Sequence, residues 1–286
     1  MKPILQVEHL SKDYSGFSLQ DVSFSLPGGA IMGFVGENGA GKTTTIKLIL
    51  NLVAKKSGSI QLFGMDHIEK EREVKDQIGV VLDESRFHNN LTADEVALIL
   101  KNCYSNWDQP VFERYCKRFN LPKQKKIKEF SKGMTMKLSL AAALSHHPKL
   151  LILDEATSGL DPIVREEVLD VFLEFIQDEE HSIFFSSHIT SDLEKIADYI
   201  TFIHEGKIVF SKSKEELLEE YGVLHCNREA FEKLDKKQIV GYRKNEFGFD
   251  VLITGRLHFA AVHPELVIDP ANIEEVMTYY VRGEVR

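Results

Sequence analysis

The segment GENGAGKTTT, residues 36–45, constrains this chain more than any other. It follows the continuous apolar run AIMGFV, the pattern of a strand buried on both faces, and precedes TIKLILNLV, whose apolar residues recur at helical spacing. Strand, glycine loop and helix in that order make an anion site. Glycines let backbone amides crowd around a phosphate, and the helix turns its partially positive end toward it. Residues 36–43 fit G-x-x-x-x-G-K-T without a mismatch. Gly36, Glu37, Asn38, Gly39, Ala40, Gly41, Lys42, Thr43 and Thr44 are therefore the expected phosphate cradle of a bound nucleotide, with Lys42 neutralising charge and the Thr43 hydroxyl offered to Mg2+.

A second element is LLILDEATSGLD, residues 150–161. A buried strand ending in two adjacent acids is costly unless they face a cation or a reacting water at the carboxyl edge of a sheet. Asp154 is the expected Mg2+ partner, direct or through water, and Glu155 the expected general base. The competing reading is a strand that exits to solvent, where acids are common.

The rest of the chain frames these motifs. Residues 3–30 read as short strands ending at the turn signal PGG, SGSIQLFGM as a hairpin-like return, and IGVVL as another buried strand. Residues 84–147 read as mostly helical, with LTADEV forming a capping box between Thr92 and Glu95. LLILD and SIFFSS are further buried strands around an amphipathic helix at VREEVLDVFLEFIQ, so the alternation predicts an α/β sheet with a helical insertion. Residues 222–286 read as a small α+β domain whose last helix starts at Asp269-Pro270, N-cap then proline, with Ile273, Val276, Met277 and Tyr280 on its apolar face.

Composition excludes several classes. A net charge of -9, from 35 basic and 44 acidic residues, disfavours broad electrostatic capture of nucleic acid. Cys103, Cys116 and Cys226 show no C-x-x-C spacing and read as buried, small apolar residues of a reducing compartment. No stretch approaches the roughly 18 apolar residues of a membrane span, so work at a membrane requires another chain to cross it.

A third element, FSKGM at 130–134, completes an ordered set: phosphate loop, SKGM ahead of a helix, LLILDE, SGLD and SSH. This set resembles the ATP-binding subunit of an ABC transporter over roughly residues 1–215. SKGM departs from the family's usual S-G-G-Q and is similar to the variant of bacterial type-2 exporters, the class that includes bacitracin-resistance and amphipathic-peptide exporters. The resemblance implies an ABC ATPase fold of the P-loop NTPase class: a RecA-like core, an antiparallel β subdomain, a helical subdomain over about 84–147, and the appended domain at 222–286. It implies ATP with Mg2+ as cofactors, Tyr14 stacked on adenine, Ser131 and Gly133 on the γ-phosphate of a nucleotide held by a second copy, Asp161 at the dimer interface and His188 as γ-phosphate sensor. Lys42, Glu155 and His188 are then the catalytic set.

One position departs from that pattern. IGVVLDE places Asp83, with Glu84 beside it, where the family carries glutamine. A carboxylate accepts hydrogen bonds and adds charge, whereas an amide also donates; Asp83 is accordingly a candidate Mg2+ ligand, and Asp83 or Glu84 a candidate link to a membrane-facing groove. The implied function is a motor subunit that dimerises head to tail on ATP, as a homodimer or heterodimer. It would drive a separate permease contacted through the helical subdomain and Asp83–Asn90, from the cytoplasmic face of the cell membrane. Peptides, antibiotics or other amphipathic compounds are the implied cargo. The alternatives are a soluble ABC-type ATPase acting on ribosomes or nucleic acid, and a P-loop kinase, in which SKGM and SSH would have no role.

Overall fold

In the computed structural model, which describes residues 2–83 and 87–284 and the backbone alone of Lys236, the chain divides into two compact units, Met1–Ser211 and Lys212–Arg286. The first unit begins with a long hairpin of β1 (Pro3–Tyr14) and β2 (Phe17–Pro27), whose apolar residues alternate inward. β3 (Ile31–Val35), buried throughout, leads through the glycine loop into α1 (Lys42–Ile49). Next come β4 (Ser57–Leu62), β5 (Met65–Asp66), α2 (Glu71–Lys75) and β6 (Ile78–Val81). The helical insertion holds α3 (Ala93–Cys103), α4 (Gln109–Arg118) and α5 (Lys132–Leu144). The chain then alternates through β7 (Leu150–Asp154), α6 (Pro162–Phe175), β8 (Ser182–Ser187), α7 (Thr190–Ile196), β9 (Tyr199–His204) and β10 (Lys207–Ser213).

Two sheets result. One is antiparallel, in the order β2-β1-β4-β5; the other runs β10-β9-β3-β8-β7-β6, with its central pairs parallel. Phe24 of the first sheet packs against Phe34 and Phe184 of the second, with ring centroids 5.3 and 5.5 Å away, and all three rings are buried. Burying one such ring contributes about 1.5–3 kcal/mol, and this apolar cluster fixes the hairpin over the strands that carry the site. Register places the site's parts side by side. In the parallel ladders Val35 sits beside Ser187, and Asp154 beside Ser186. The ends of β3, β8 and β7 therefore share one carboxyl edge, where open α/β sheets bind ligands.

Helix starts follow local chemistry. Thr92 caps α3 with the reciprocal Glu95 contact that LTADEV predicts. In the second unit, α8 (Lys214–Glu220), β11 (Tyr221–Cys226), α9 (Arg228–Lys233), β12 (Ile239–Lys244), β13 (Phe249–Thr254), α10 (Arg256–Val262), β14 (Val267–Pro270) and α11 (Ile273–Arg282) form a four-stranded sheet, in the order β12-β13-β11-β14, with helices. Here the last helix starts later than expected. Asp269 and Pro270 pair with Val223 and Gly222 as an edge strand, where proline's missing N–H is tolerated. Asn272 is the cap, closing a box with Glu275, and Tyr279 is the buried aromatic while Tyr280 is half-buried. The signal N-x-x-E lies three residues beyond Asp269.

The cysteines also differ from expectation: Cys116 is buried, Cys226 half-buried and Cys103 exposed at the end of α3. Burial pushes the Cys116 thiol up to about 11, which keeps it protonated and unreactive near neutral pH. An aromatic disulfide reagent at pH 8 is expected to label Cys103 rapidly and Cys116 only after denaturant is added, as read by mass spectrometry of peptides. Labelling of both at one rate would contradict the packing of α3 against α4.

Candidate nucleotide site

The loop between β3 and α1 is shaped by what surrounds it. A methyl group on Gly36 would meet the Ile203 carbonyl at 2.4 Å, and Gly41 takes a φ of 118° as N-cap of α1; neither position accepts a side chain without displacement. Gly36, Ala40, Gly41 and Lys42 are buried, Glu37, Asn38, Gly39 and Thr43 are exposed, and Thr44 is half-buried. Thr43 thus presents its hydroxyl from the first turn of a helix whose N-terminus faces the loop.

Lys42 is 5% exposed, and its ammonium is held from three directions. Nζ donates to the Gly36 carbonyl at 2.7 Å and the Glu37 carbonyl at 3.3 Å, and lies 3.2 Å from Glu155 Oε1. A buried ammonium with no anion beside it would be strongly unfavourable. Glu155 supplies that anion. Its Oε1 lacks hydrogen-bond geometry to any described donor, so the contact is purely that of an ion pair.

Glu155 is placed by backbone as well as charge. It adopts a φ of 52°, a left-handed conformation that costs about 1–2 kcal/mol for a residue with a Cβ. The backbone N–H of Glu155 donates to the Ser186 carbonyl at 3.0 Å, and its Oε2 meets His188 Nδ1 at 2.5 Å. An ionised carboxylate can only accept, so Nδ1 carries the proton of that bond. Next to it, Asp154 is 4% exposed and accepts from Ser186 Oγ at 2.6 Å. Lys42, Asp154, Glu155 and His188, read from separate motifs, are thus drawn together at the sheet edge. The solvent-exit reading of the two acids does not describe Asp154.

The other predicted residues fall elsewhere. Ser131 caps α5, its Oγ accepting from the Met134 N–H, and Asp161 caps α6, accepting from the Val164 N–H. These two helix starts adjoin, because a methyl on Gly133 would meet Val164 Cγ1 at 3.2 Å. Among the described residues, no hydrogen bond or ion pair joins Ser131, Gly133 or Asp161 to Lys42, Asp154 or Glu155. Tyr14 is 44% exposed at the hairpin tip, paired with Phe17. The Phe17 ring reaches the phosphate loop, lying 3.1 Å from where a Gly41 side chain would begin. Asp83 meets Lys132 Nζ at 3.3 Å. Glu84 lies outside the described residues.

Sequence reading missed a supporting network. Asp192, 2% exposed, accepts from Thr157 Oγ1 at 2.7 Å and from Arg165 Nε at 2.6 Å, and Arg165 also reaches Ser191 Oγ. It ties the turn after Glu155 and the start of α6 to the helix following His188. No local signal marks it, since its members are 27 and 35 residues apart. The adjacent His146 and His147 have structural partners: His146 is buried on the Ile78 carbonyl and stacked on Tyr104, and His147 pairs with Asp108. Burial holds the His146 imidazole below the usual histidine range.

A buried strand edge, an amide-lined loop with its lysine and a strained acidic turn define a P-loop nucleotide hydrolase. Comparisons with known proteins narrow the class. The family described as ABC transporter matches residues 19–158. The bacitracin transport ATP-binding protein BcrA of Bacillus licheniformis is 37% identical over 212 residues, covering 73% of this chain and 69% of that protein. The lantibiotic transport ATP-binding protein SrtF of Streptococcus pyogenes is 36% identical over 235 residues, covering 80% of this chain and 99% of that protein. A solved structure titled as the ATP binding subunit of an ABC transporter superposes with a TM-score of 0.67 at 26% identity, covering 75% of this chain and 91% of that one. The chain belongs to the ATP-binding subunits of ABC transporters; it is an ATP-binding ATPase subunit with the ABC ATPase fold. Among the described residues no helix is long and apolar enough to cross a membrane.

The Asp192 network generates a direct check. Arg165→Met leaves a buried carboxylate short of its cation and is expected to cost about 3 kcal/mol in urea denaturation. Arg118→Met, which removes a pair to the exposed Glu174, is expected to cost under about 1 kcal/mol. Equal losses would show that the network does not hold the turn.

Proposed function

We propose that two copies of the chain close on ATP head to tail and hydrolyse it at sites that each copy half-supplies. The observation that carries this is the separation within one chain: Lys42, Asp154, Glu155 and His188 cluster at the sheet edge, while Ser131, Gly133 and Asp161 cluster at two adjoining helix starts, with no hydrogen bond or ion pair to them among the described residues. One copy then provides phosphate loop, acid and histidine, and the other brings Ser131 and Gly133 to the γ-phosphate.

In this reading a triphosphate entering the loop meets the backbone amides of 36–41 and competes with Glu155 for Lys42. Release of Glu155 from the lysine frees Oε1 to accept a proton from a water attacking the γ-phosphorus. The bond between that phosphorus and the bridging oxygen breaks, leaving ADP and inorganic phosphate. His188, bonded through Nδ1 to Glu155, orients the carboxylate and turns its other face outward to the phosphate. Tyr14, exposed at the hairpin tip beside the loop, offers its ring to the base. Loss of the γ-phosphate removes the contacts that favour closure, so hydrolysis resets the pair.

Mg2+ fits the residues present. Thr43 and Asp154 offer hard oxygens at the sheet edge, and no group of three or more His, Cys, Asp or Glu among the described residues could hold a metal alone. That suits an ion bound partly by the nucleotide's own phosphates. When bound, it would supply charge neutralisation across the phosphates; Thr43 and Asp154 would hold it.

Movement passes to a permease through a groove of about 510 Å3 lined by Leu82, Asp83, Asn89, Phe130, Lys132 and Met136. The groove lies where the loop after β6 meets the helical insertion, and a short helix of a membrane subunit is its proposed occupant, placing the chain on the inner face of the membrane. The similarity to bacitracin and lantibiotic transport proteins supports export of peptides or antibiotics over a soluble role at ribosomes or on nucleic acid. Glu155→Gln is expected to keep ATP binding and lower turnover by about 10²- to 10⁴-fold, measured by phosphate release beside a nucleotide titration. Near-normal turnover in that variant would reject Glu155 as the base.

A further inference from the structure

The structure brings together two of the residues at which this chain departs from the family pattern. Lys132 stands after Ser131 where the pattern has glycine, and Asp83 stands after β6 where it has glutamine. Lys132 Nζ lies 3.3 Å from Asp83 Oδ1. The same ammonium hangs over the SGLD turn, since a methyl on Gly159 would meet it at 3.2 Å.

Lys132 is the first residue of α5, a helix of 13 residues with no acidic residue in its first turn. A cation at that end opposes the partial positive charge of the helix. An anion must come from elsewhere, and Asp83, 49 residues earlier, provides it. Both side chains are about half exposed, 49% and 48%. Such an exposed pair contributes little to folding. What it sets is position: it binds the loop bordering the groove to the turn that carries Ser131 and Gly133.

We infer that Lys132 is a binding residue for the nucleotide of the second copy, and that Asp83 competes for it. The inference rests on the shared-site reading above. When the γ-phosphate of the other copy reaches Ser131 and Gly133, it arrives beside an ammonium already held by a weak, exposed carboxylate. The phosphate, carrying more negative charge, draws Lys132 from Asp83. Closure therefore releases Asp83, and anything that holds Asp83 against Lys132 opposes closure. A glycine and a glutamine at these positions could not make this exchange, because neither carries charge.

The test is a double-mutant cycle on the full chain, reading the ATP dependence of phosphate release. Asp83→Asn removes the competitor and is expected to lower KM for ATP by about 3-fold. Lys132→Gln is expected to raise it by a similar factor. In the Lys132→Gln background, Asp83→Asn is expected to have no further effect on KM, and neither single variant to shift the melting temperature. KM shifts of the same sign, shifts that add in the double variant, or no shift in either would overturn the inference. A passive tether would lower the melting temperature without moving KM in opposite directions, and so would also overturn it. Failure of the underlying reading shows separately: in that case Ser131→Ala leaves wild-type hydrolysis intact and turnover per chain does not depend on chain concentration.

Discussion

A buried ammonium governs this structure. Lys42 sits at the start of α1 with almost no solvent contact, and two loop carbonyls alone cannot offset its charge. The anion it needs comes from Glu155, on the far side of β8 in the sheet order. That requirement explains why β3 and β7 must end at the same level, why Ser186 between them donates to the Asp154 side chain and accepts from the Glu155 N–H, and why Glu155 is held in a strained conformation. Strain of this kind persists only where surrounding contacts over-determine it. Here they do, through Ser186, His188 and Lys42.

The same interaction gives the site its two conditions. With Lys42 on Glu155, the carboxylate is committed to neutralising a cation. In the proposed mechanism a nucleotide phosphate takes over that task, and the acid becomes free to act on water. Binding and activation are thus one exchange of partners around a single buried charge. The Asp192 network ties the turn beyond Glu155 to the helix beyond His188.

Much of this was legible in the sequence because it is local. G-x-x-x-x-G-K-T states its own geometry, a buried run ending in two acids states a sheet edge, and Thr92 with Glu95 states a helix start. The left-handed Glu155, its pairing with Lys42 across 113 positions of numbering, and the Asp192 network depend on partners distant in sequence, which no local pattern encodes. The last helix shows a different failure. Asp269-Pro270 is a sound capping signal, but strand pairing with Val223 and Gly222 claimed those residues first, and the cap fell to Asn272. Tertiary pairing overrode local chemistry there. For Asp83 and Lys132 each departure was visible singly; only the fold shows that they meet.

In the proposed mechanism a complete hydrolytic site needs groups from two chains. Mixing two inactive forms, one carrying Lys42→Ala and the other Ser131→Arg, and measuring phosphate release separates shared sites from self-contained ones. A head-to-tail pair of the two holds one site with an intact phosphate loop facing an intact Ser131. The mixture is therefore expected to regain hydrolysis that neither form shows alone. Co-assembly of the two forms without any recovery would contradict the account.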